Sequence, residues 1–401
     1  LRGAQDTTRP NGTTRMFRLK TLIVGLIAAC PVMALDLPTD GPLTIDPKLQ
    51  ALGERLLQGK QGSIVAIEPA TGRILALVSQ DKVNDGVNRA ISTDYSPGST
   101  FKVAQALEML SEGALTPETT YPCRRGFTHD GIRIGCHPHK SPLALVQAIS
   151  QSCNAYFCKA FQEMLDNRSL YVSKHRAIDR WNAYMQSMGL GRTLGVDLPD
   201  EVSGVMPDSA FLAAKHGSWN GTTVMWMGMG QGEVRTTPLQ LCNLAAVIAN
   251  RGFYLTPHIH ESAAGLAIVE QDTTKHRSLA TPEAFDIVVR GMRAATVNGT
   301  AASLNNPDYE ICGKTGTAEN EGEDHSIFMG FAPMQKPRIA VSVYVENGGF
   351  GADLAAPLAA LMMEQHINGR LSQKSERRAA KWENRKVKIT PVKVEINFDD
   401  L

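Results

Sequence analysis

Ser99-Thr100-Phe101-Lys102 constrains this chain more than any other stretch. It is preceded by Tyr95-Ser96-Pro97-Gly98 and followed by the apolar run Val103, Ala104, Ala106, Leu107, Met109 and Leu110. Pro97-Gly98 interrupts whatever precedes and suits a helix entry, so the sequence predicts Ser99 on a first helical turn. One turn separates Ser99 from Lys102, which puts hydroxyl and amine on a shared face. A serine hydroxyl is a weak nucleophile until a base takes its proton, and a desolvated lysine can do that near neutral pH. Alone the S-x-x-K pattern is weak, because both residues are common and a solvated helix start explains most instances.

Two companions in a fixed order change that balance. Ser152-Cys153-Asn154 follows further along, and Lys314-Thr315-Gly316-Thr317 lies near the end of the patterned region. By themselves the first reads as a helix cap and the second as a turn. Together, S-x-x-K, S-x-N and K-T-G are the signature of penicillin-interacting serine acyl enzymes. The flanking residues also resemble that superfamily: Gly230-Gln231-Gly232-Glu233 with Thr237-Pro238-Leu239-Gln240, and Lys314 through Asn320. From about residue 43 to about residue 369 the chain resembles the transpeptidase domain of class B penicillin-binding proteins, and is most similar to the elongation-type penicillin-binding protein 2 group.

That resemblance implies roles. Ser99 is the nucleophile toward the amide joining two terminal D-alanines of a peptidoglycan stem peptide, and Lys102 is its general base. Ser152 relays a proton to the leaving amine, Lys314 keeps the relay electropositive, and Asn154 holds the substrate's backbone amide. Lys314-Thr315-Gly316-Thr317 is expected as an edge strand. Its missing side chain at Gly316 would let substrate lie alongside, while Thr315 and Thr317, with Lys314, suit the terminal carboxylate. The backbone N–H groups of Ser99 and Thr317 form the oxyanion hole, where stabilising developing charge counts most. No cofactor is needed for this chemistry. β-Lactams, which mimic the D-alanyl end, are expected to acylate Ser99. Gln231 and Glu233 shape a loop near the cleft, and Asp324-His325 reads as a turn rather than a catalytic pair.

The elements fit this reading. Alternating β-type runs at 63–68 and 73–79 surround the hairpin signal Pro69-Ala70-Thr71-Gly72, and strand patterns return only at 311–317, 326–331 and 338–346. Helical patterns fill the middle. Asp46-Pro47 opens one with an apolar stripe at Leu49, Leu52 and Leu56, and Ser141-Pro142 opens another. Ile178, Trp181, Met185 and Met188 mark a helix closed by Gly189, Thr237 and Gln240 form a capping box, and Thr281-Pro282 starts a helix stopped by Asn298-Gly299. A last helix is expected over 352–368. Early and late strands with helices between them imply one antiparallel sheet closed by both chain ends, an α+β plan. The fold implied by the resemblance, a penicillin-binding-protein/β-lactamase-like five-stranded antiparallel sheet flanked by helices, agrees.

Outside this region, residues 1–15 are polar and without periodicity, and Met16 is a candidate start. Arg18 and Lys20 precede an apolar stretch at 21–34 that is short for a membrane span, which needs roughly 20 residues, and suits an export signal. Val32-Met33-Ala34 suits cleavage, and Ile27-Ala28-Ala29-Cys30 resembles a lipobox with Pro31 placed awkwardly after it. Residues 1–42 are therefore read as an export signal or short membrane anchor with a linker, 43–369 as the transpeptidase domain, and 370–401 as a basic tail forming a solvated helix and then a loose strand at 392–398. The resemblance places the protein in a bacterial cell envelope, on the periplasmic side of the inner membrane, in cell-wall and cell-shape work. It also suggests a membrane glycosyltransferase of the elongation machinery as a partner. No pedestal separates residue 42 from the catalytic pattern, so contacts made through one do not carry over. A formal net charge of +1 offers no footprint for nucleic acid.

Of seven cysteines, four fall between 123 and 158. Cys123, Cys136, His139 and Cys153 supply four soft ligands of the kinds zinc prefers, with His137 and Cys158 as substitutes. In an S-x-N turn the outer residues face the cleft, so Cys153 should point toward the Cys123 to His139 loop, where a metal would brace the turn from behind. A disulfide is the competing reading in an oxidising compartment, with free thiols as the third. Two other functions stand beside the transpeptidase: a hydrolase of the same superfamily (a D,D-carboxypeptidase or serine β-lactamase), and a non-catalytic penicillin-binding sensor.

Overall fold

A computed structural model of the chain describes residues 42–83, 85–261, 274–320 and 322–390. The apolar segment with Cys30 and the strand expected at 392–398 lie outside them. Among the described residues no helix is long and apolar enough to cross a membrane.

The main sheet has five strands: β1 (Gly62–Ile67), β2 (Ile74–Gln80), β3 (Cys312–Ala318), β4 (His325–Ala332) and β5 (Ile339–Val345). Their order across the sheet is β2-β1-β5-β4-β3, antiparallel throughout. The first hairpin thus pairs with the last strand, and the two ends of the patterned region close one sheet as the strand spacing predicted. Along β1 the side chains alternate, Ile64 and Ala66 into one core and Val65 and Ile67 into the other. Both faces are covered, which is why these strands read as nearly continuous apolar runs.

One face is covered by α1 (Pro47–Leu57) and α8 (Ala355–Asn368). Asp46 caps α1 by accepting from the Lys48 and Leu49 N–H groups, with Pro47 in the first turn, and Leu49, Leu52 and Leu56 are buried against the sheet. The other face carries the larger helical layer: α2 (Lys102–Ser111), α3 (Leu145–Ser150), α4 (Asn154–Asp166), α5 (Lys174–Ser187), α6 (Pro238–Ala249) and α7 (Pro282–Asn298). All of α6 is buried, and both hydrogen bonds of the Thr237/Gln240 capping box are made. A helix that is apolar on every side belongs in the interior.

Three expectations need amending. Ser141-Pro142 does not open a helix. The Ser141 hydroxyl accepts the Cys123 N–H at 2.7 Å instead of capping, and α3 begins later, at Leu145. The last helix of the pattern begins at Ala355 rather than 352, because residues 348–353 form a loop against the sheet. The helix in the tail, α9 (Gln373–Glu383), is exposed along most of its length, yet Ser375 and Ala379 are buried on its inner face. Lys60 also donates to the Trp382 carbonyl at 2.7 Å, so α9 is fastened to the body.

Leu244 lies within fully buried α6. Leu244→Ala is expected to cost about 2–5 kcal/mol of stability, the range for emptying such a site. The check is urea unfolding followed by circular dichroism, with a lower midpoint and an unchanged slope.

Candidate active site

Three chain segments meet at one cleft. The first is a tight turn, Gly98–Phe101, leading directly into α2. Gly98 adopts φ +53°, and a Cβ there would sit 2.5 Å from the Thr317 carbonyl oxygen. Only glycine lets the nucleophile turn lie this close to β3. Behind it, Gly98 N–H donates to the Gly230 carbonyl at 2.9 Å, so the Gly230-Gln231-Gly232 loop buttresses the turn.

Lys102 is fully buried, and its Nζ donates to Ser99 Oγ at 2.9 Å. The same amine reaches the Ser152 carbonyl at 2.9 Å, Asn154 Oδ1 at 2.5 Å and Ser152 Oγ at 3.4 Å. The second segment is the turn between α3 and α4. Ser152 takes φ +55° there, a left-handed conformation uncommon for a residue with a side chain. That conformation aims Ser152 Oγ inward, where Lys314 Nζ donates to it at 2.8 Å and to the Thr315 carbonyl at 2.9 Å. One hydroxyl therefore lies between two buried amines.

Electrostatics follow from the geometry. Burial pulls Lys102 down to about 8, against weaker opposing pulls from the nearby thiols of Cys158, Cys136 and Cys153. Lys314 is also fully buried and is held well below its ordinary value, first by burial and then by the charge of Lys102. Two cations this close cannot both be charged cheaply. A neutral amine is therefore accessible near physiological pH, which is what a general base for a serine hydroxyl requires.

The third segment is β3, an edge strand as expected. Thr315 Oγ1 lies 2.7 Å from Thr300 Oγ1, and Thr317 Oγ1 accepts the Gly351 N–H at 3.4 Å. Gly316 has a packing reason that the sequence pattern did not reveal. A Cβ there would point at Thr100 Cγ2 at 2.9 Å and the Pro97 carbonyl oxygen at 3.1 Å. The glycine thus makes room for the nucleophile turn, and it also lines the cleft.

The cleft encloses about 690 Å³ and is lined by Ser99, Ser152, Asn154, Thr315 and Thr317. Arg133, Trp226, Thr300 and Phe350 also line it, and none was singled out from sequence. They come from a hairpin strand (Ile132–Gly135), a 3-10 helix (Met225–Met229), the turn after α7 and the loop at 347–353, and no spacing signal links them. Gln231 reaches the cleft as expected, whereas Glu233 pairs with His216 at 2.8 Å and Lys215 at 3.4 Å. Asp324 lines the rim. His325 Nδ1 accepts the Asn347 N–H at 3.0 Å, and its ring packs against Tyr95 and Tyr344, a structural placement.

Behind the S-x-N turn, the donor atoms of Cys123, Cys136, His139 and Cys153 all lie within 4.8 Å of one another. A tetrahedral zinc with Zn–S of about 2.3 Å needs sulfurs about 3.8 Å apart, so the set is sized for one ion. Among the described residues every cysteine is free. Cys136 Sγ lies 3.5 Å from His139 Nε2, and His139 Nδ1 is 2.6 Å from the Lys140 carbonyl oxygen, which fixes the ring as metal-binding histidines need. The Cys136 thiol is held down at about 2, first by its hydrogen bond with Cys153, then by His137, the Asn154 N–H and His139. Cys153 is pushed up by that same bond. Its sulfur points away from the cleft and caps α4 through the Tyr156 N–H, as the turn geometry predicted. Cys158 lies elsewhere, in a small core with Ile134, Met225 and Met229, and His137 lines the cleft.

The model of the penicillin binding protein transpeptidase domain matches residues 62–364, which contain all three motifs. This chain belongs to that family. Peptidoglycan D,D-transpeptidase MrdA of Acinetobacter baumannii is 30% identical over 365 residues, covering 79% of this chain and 52% of the relative. Peptidoglycan D,D-transpeptidase PbpA of Mycolicibacterium smegmatis is 30% identical, covering 79% of this chain and 70% of that protein. Among solved structures, that of Pseudomonas aeruginosa PBP2 in complex with WCK 5153 is similar with a TM-score of 0.72 and 30% identity, covering 83% of this chain and 77% of that one. The chain spans about half the length of the first of these curated relatives. The resemblance to the penicillin-binding protein 2 group read from the motifs thus holds, as does the α+β transpeptidase fold.

Because Lys102 must lose its proton to act as base, acylation of the family member by a β-lactam is expected to rise with pH and level off above about 8. Stopped-flow acylation rates across pH 6 to about 9.5 check the sign, since lowering the pH through this range protonates the base. A flat profile contradicts the assignment.

Proposed function

We propose that the protein is a peptidoglycan D,D-transpeptidase working through a serine acyl-enzyme. The observation that carries this reading is Ser152 Oγ lying between Lys102 and Lys314, with Lys102 in turn 2.9 Å from Ser99 Oγ. Ser99 attacks the carbonyl of a D-alanyl-D-alanine amide while neutral Lys102 takes its proton. The oxygen of the resulting tetrahedral intermediate faces the N–H groups of Ser99 and Thr317. As the C–N bond breaks, the proton reaches the departing D-alanine nitrogen through Ser152, with Lys314 keeping that route electropositive. An amine of a neighbouring stem peptide then attacks the ester, losing a proton to the same relay, and Ser99 is regenerated.

Thr315 and Thr317 on the edge strand suit the substrate's terminal carboxylate. Asn154 orients Lys102 through Oδ1, while Nδ2 donates to the Gly135 carbonyl at 3.0 Å and keeps a second N–H for the substrate backbone. β-Lactams enter the same path and stop at the ester. The chemistry places the work at a bacterial cell wall, hence on the periplasmic side of the inner membrane. A membrane glycosyltransferase that makes the glycan strands is a fitting partner.

Cys123, Cys136, His139 and Cys153 are proposed to hold a structural zinc. All four positions are taken by protein donors, so the ion has no open site for the acyl chemistry. Its contribution is to hold the residues that carry Ser152 and Asn154, because Cys136 Sγ accepts the Asn154 N–H at 3.4 Å and Cys153 is the cap of α4.

Two experiments test these readings. The parent protein should gain the mass of one benzylpenicillin and cross-link lipid-linked stems, and Ser99→Ala should do neither while keeping its melting temperature. A folded parent protein that never forms the adduct ends the acyl-enzyme reading. For the metal, native mass spectrometry should find one zinc per chain, lost in Cys136→Ser together with a fall in melting temperature. A full complement of zinc in that variant would count against the ligand set.

A further inference from the structure

The family model stops at residue 364, but the chain continues along the body, and its last described residues reach the loop at 347–353. Arg385 follows α9 and places its guanidinium over the loop at 347–353, donating to the Asp353 carbonyl at 2.9 Å and the Gly348 carbonyl at 3.5 Å. Its cation also lies 5.5 Å from the Trp382 ring centroid. Further on, Val387 is buried and its carbonyl accepts from Lys82 at 2.5 Å. The Thr390 N–H donates to Asn347 Oδ1 at 3.1 Å, and its side chain packs against Gly322. The segment is fastened at its start as well, by Lys60 to the Trp382 carbonyl and by Arg55 to Glu383 at 2.6 Å.

The loop so gripped is a wall of the cleft, which Phe350, Gly351 and Asp353 line. Gly351 lies flat on β3, since a Cβ there would be blocked by the carbonyl oxygens of Gly316 and Ile327, and its N–H donates to Thr317 Oγ1. The Ser326 hydroxyl donates to the Phe350 carbonyl at 3.0 Å. One face of the loop therefore rests on the K-T-G strand, and Arg385 spans carbonyls near its two ends from outside. A guanidinium suits this task, because its planar fork reaches two acceptors at once.

We propose that residues 384–390 form a strap that holds the 347–353 loop against the K-T-G strand, with Arg385 as a positioning residue for ligand binding. The strap touches neither Ser99 nor the two lysines, so it governs how ligands are received and leaves bond-making alone. This inference rests on the acyl-enzyme reading above for its kinetic consequence, though the strap's hold on the loop does not.

The test uses the full chain and a fluorescent penicillin, with the affinity of the first, non-covalent step and the limiting acylation rate measured separately by stopped flow. Arg385→Ala is expected to weaken first-step binding about threefold to tenfold, the scale for losing charge-assisted hydrogen bonds at a half-exposed site, with the limiting rate within about twofold of the parent. Thr390→Pro removes the N–H at the strap's other end and should shift the same constant, so a poorly folded Arg385 variant does not decide the matter. Lys374→Ala on the exposed side of α9 is the control and should behave as the parent does. Amide hydrogen exchange in 347–353 should quicken in both strap variants while exchange in α6 stays slow. Unchanged exchange in that loop, or an equal fall in binding and limiting rate, overturns the proposal. A parent protein that forms no adduct at all removes the acyl-enzyme reading, and loop exchange then decides the strap by itself.

Discussion

Two ammonium-bearing side chains buried around a single serine hydroxyl are the interaction on which the rest of this structure depends. Taking Lys102 and Lys314 out of water is costly, and among the described residues neither amine is hydrogen-bonded to a carboxylate. The protein offsets that cost with neutral acceptors: a serine carbonyl, an asparagine amide oxygen and a strand carbonyl. Lys102 is also the first residue of α2, and Asn154 the first of α4. Both helices thus turn their partially positive ends toward the site, which disfavours charged amines and favours a developing oxyanion. The arrangement trades stability for a base that can be neutral when it is needed.

The larger fold serves to hold three short segments in register. The sheet supplies β3 as a free edge, and α6, buried throughout, packs on β1, β4 and β5 and joins the sheet to the helical layer. Glycines permit approach where side chains would forbid it: Gly98 and Gly316 press turn against strand, and Gly351 lies on the strand's other side. The S-x-N turn has the least regular backbone of the three, with Ser152 in a left-handed conformation. The cysteine–histidine cluster meets the chain at that turn, where Cys136 takes up the Asn154 N–H and Cys153 caps the helix. Strained backbone is kept in place by surroundings that over-determine it, and here the Cys136 and Cys153 sulfurs do so by accepting the Asn154 and Tyr156 N–H groups.

Much of this was legible beforehand, for local reasons. S-x-x-K works through one helical turn, the capping box of α6 through three consecutive peptide units, and the strands through apolar β-type runs bounded by turn signals. The choice of Cys153 over Cys158 also followed from turn geometry, since the middle residue of S-x-N must face away from the cleft. What the sequence did not show was mostly a matter of competing partners. Ser141 had a better use for its hydroxyl than capping a helix, and Gly316 owes its identity to Thr100 and Pro97, which no pattern within the K-T-G strand could reveal.

By itself, then, the sequence determined the pairing of Ser99 with Lys102 across one turn, the order of the three motifs, the antiparallel α+β plan and the cysteines and histidine that gather behind the S-x-N turn. Each of those is written in spacings of a few residues, or in periodicity that a backbone imposes wherever it goes. Only the tertiary structure decided that Ser152 stands between both lysines, that Arg133, Trp226 and Phe350 line one cleft, and that residues 384–390 return to the loop beside β3. Those are meetings between segments far apart in the chain, and their physical cause is the packing of two cores on one sheet, which no local pattern encodes.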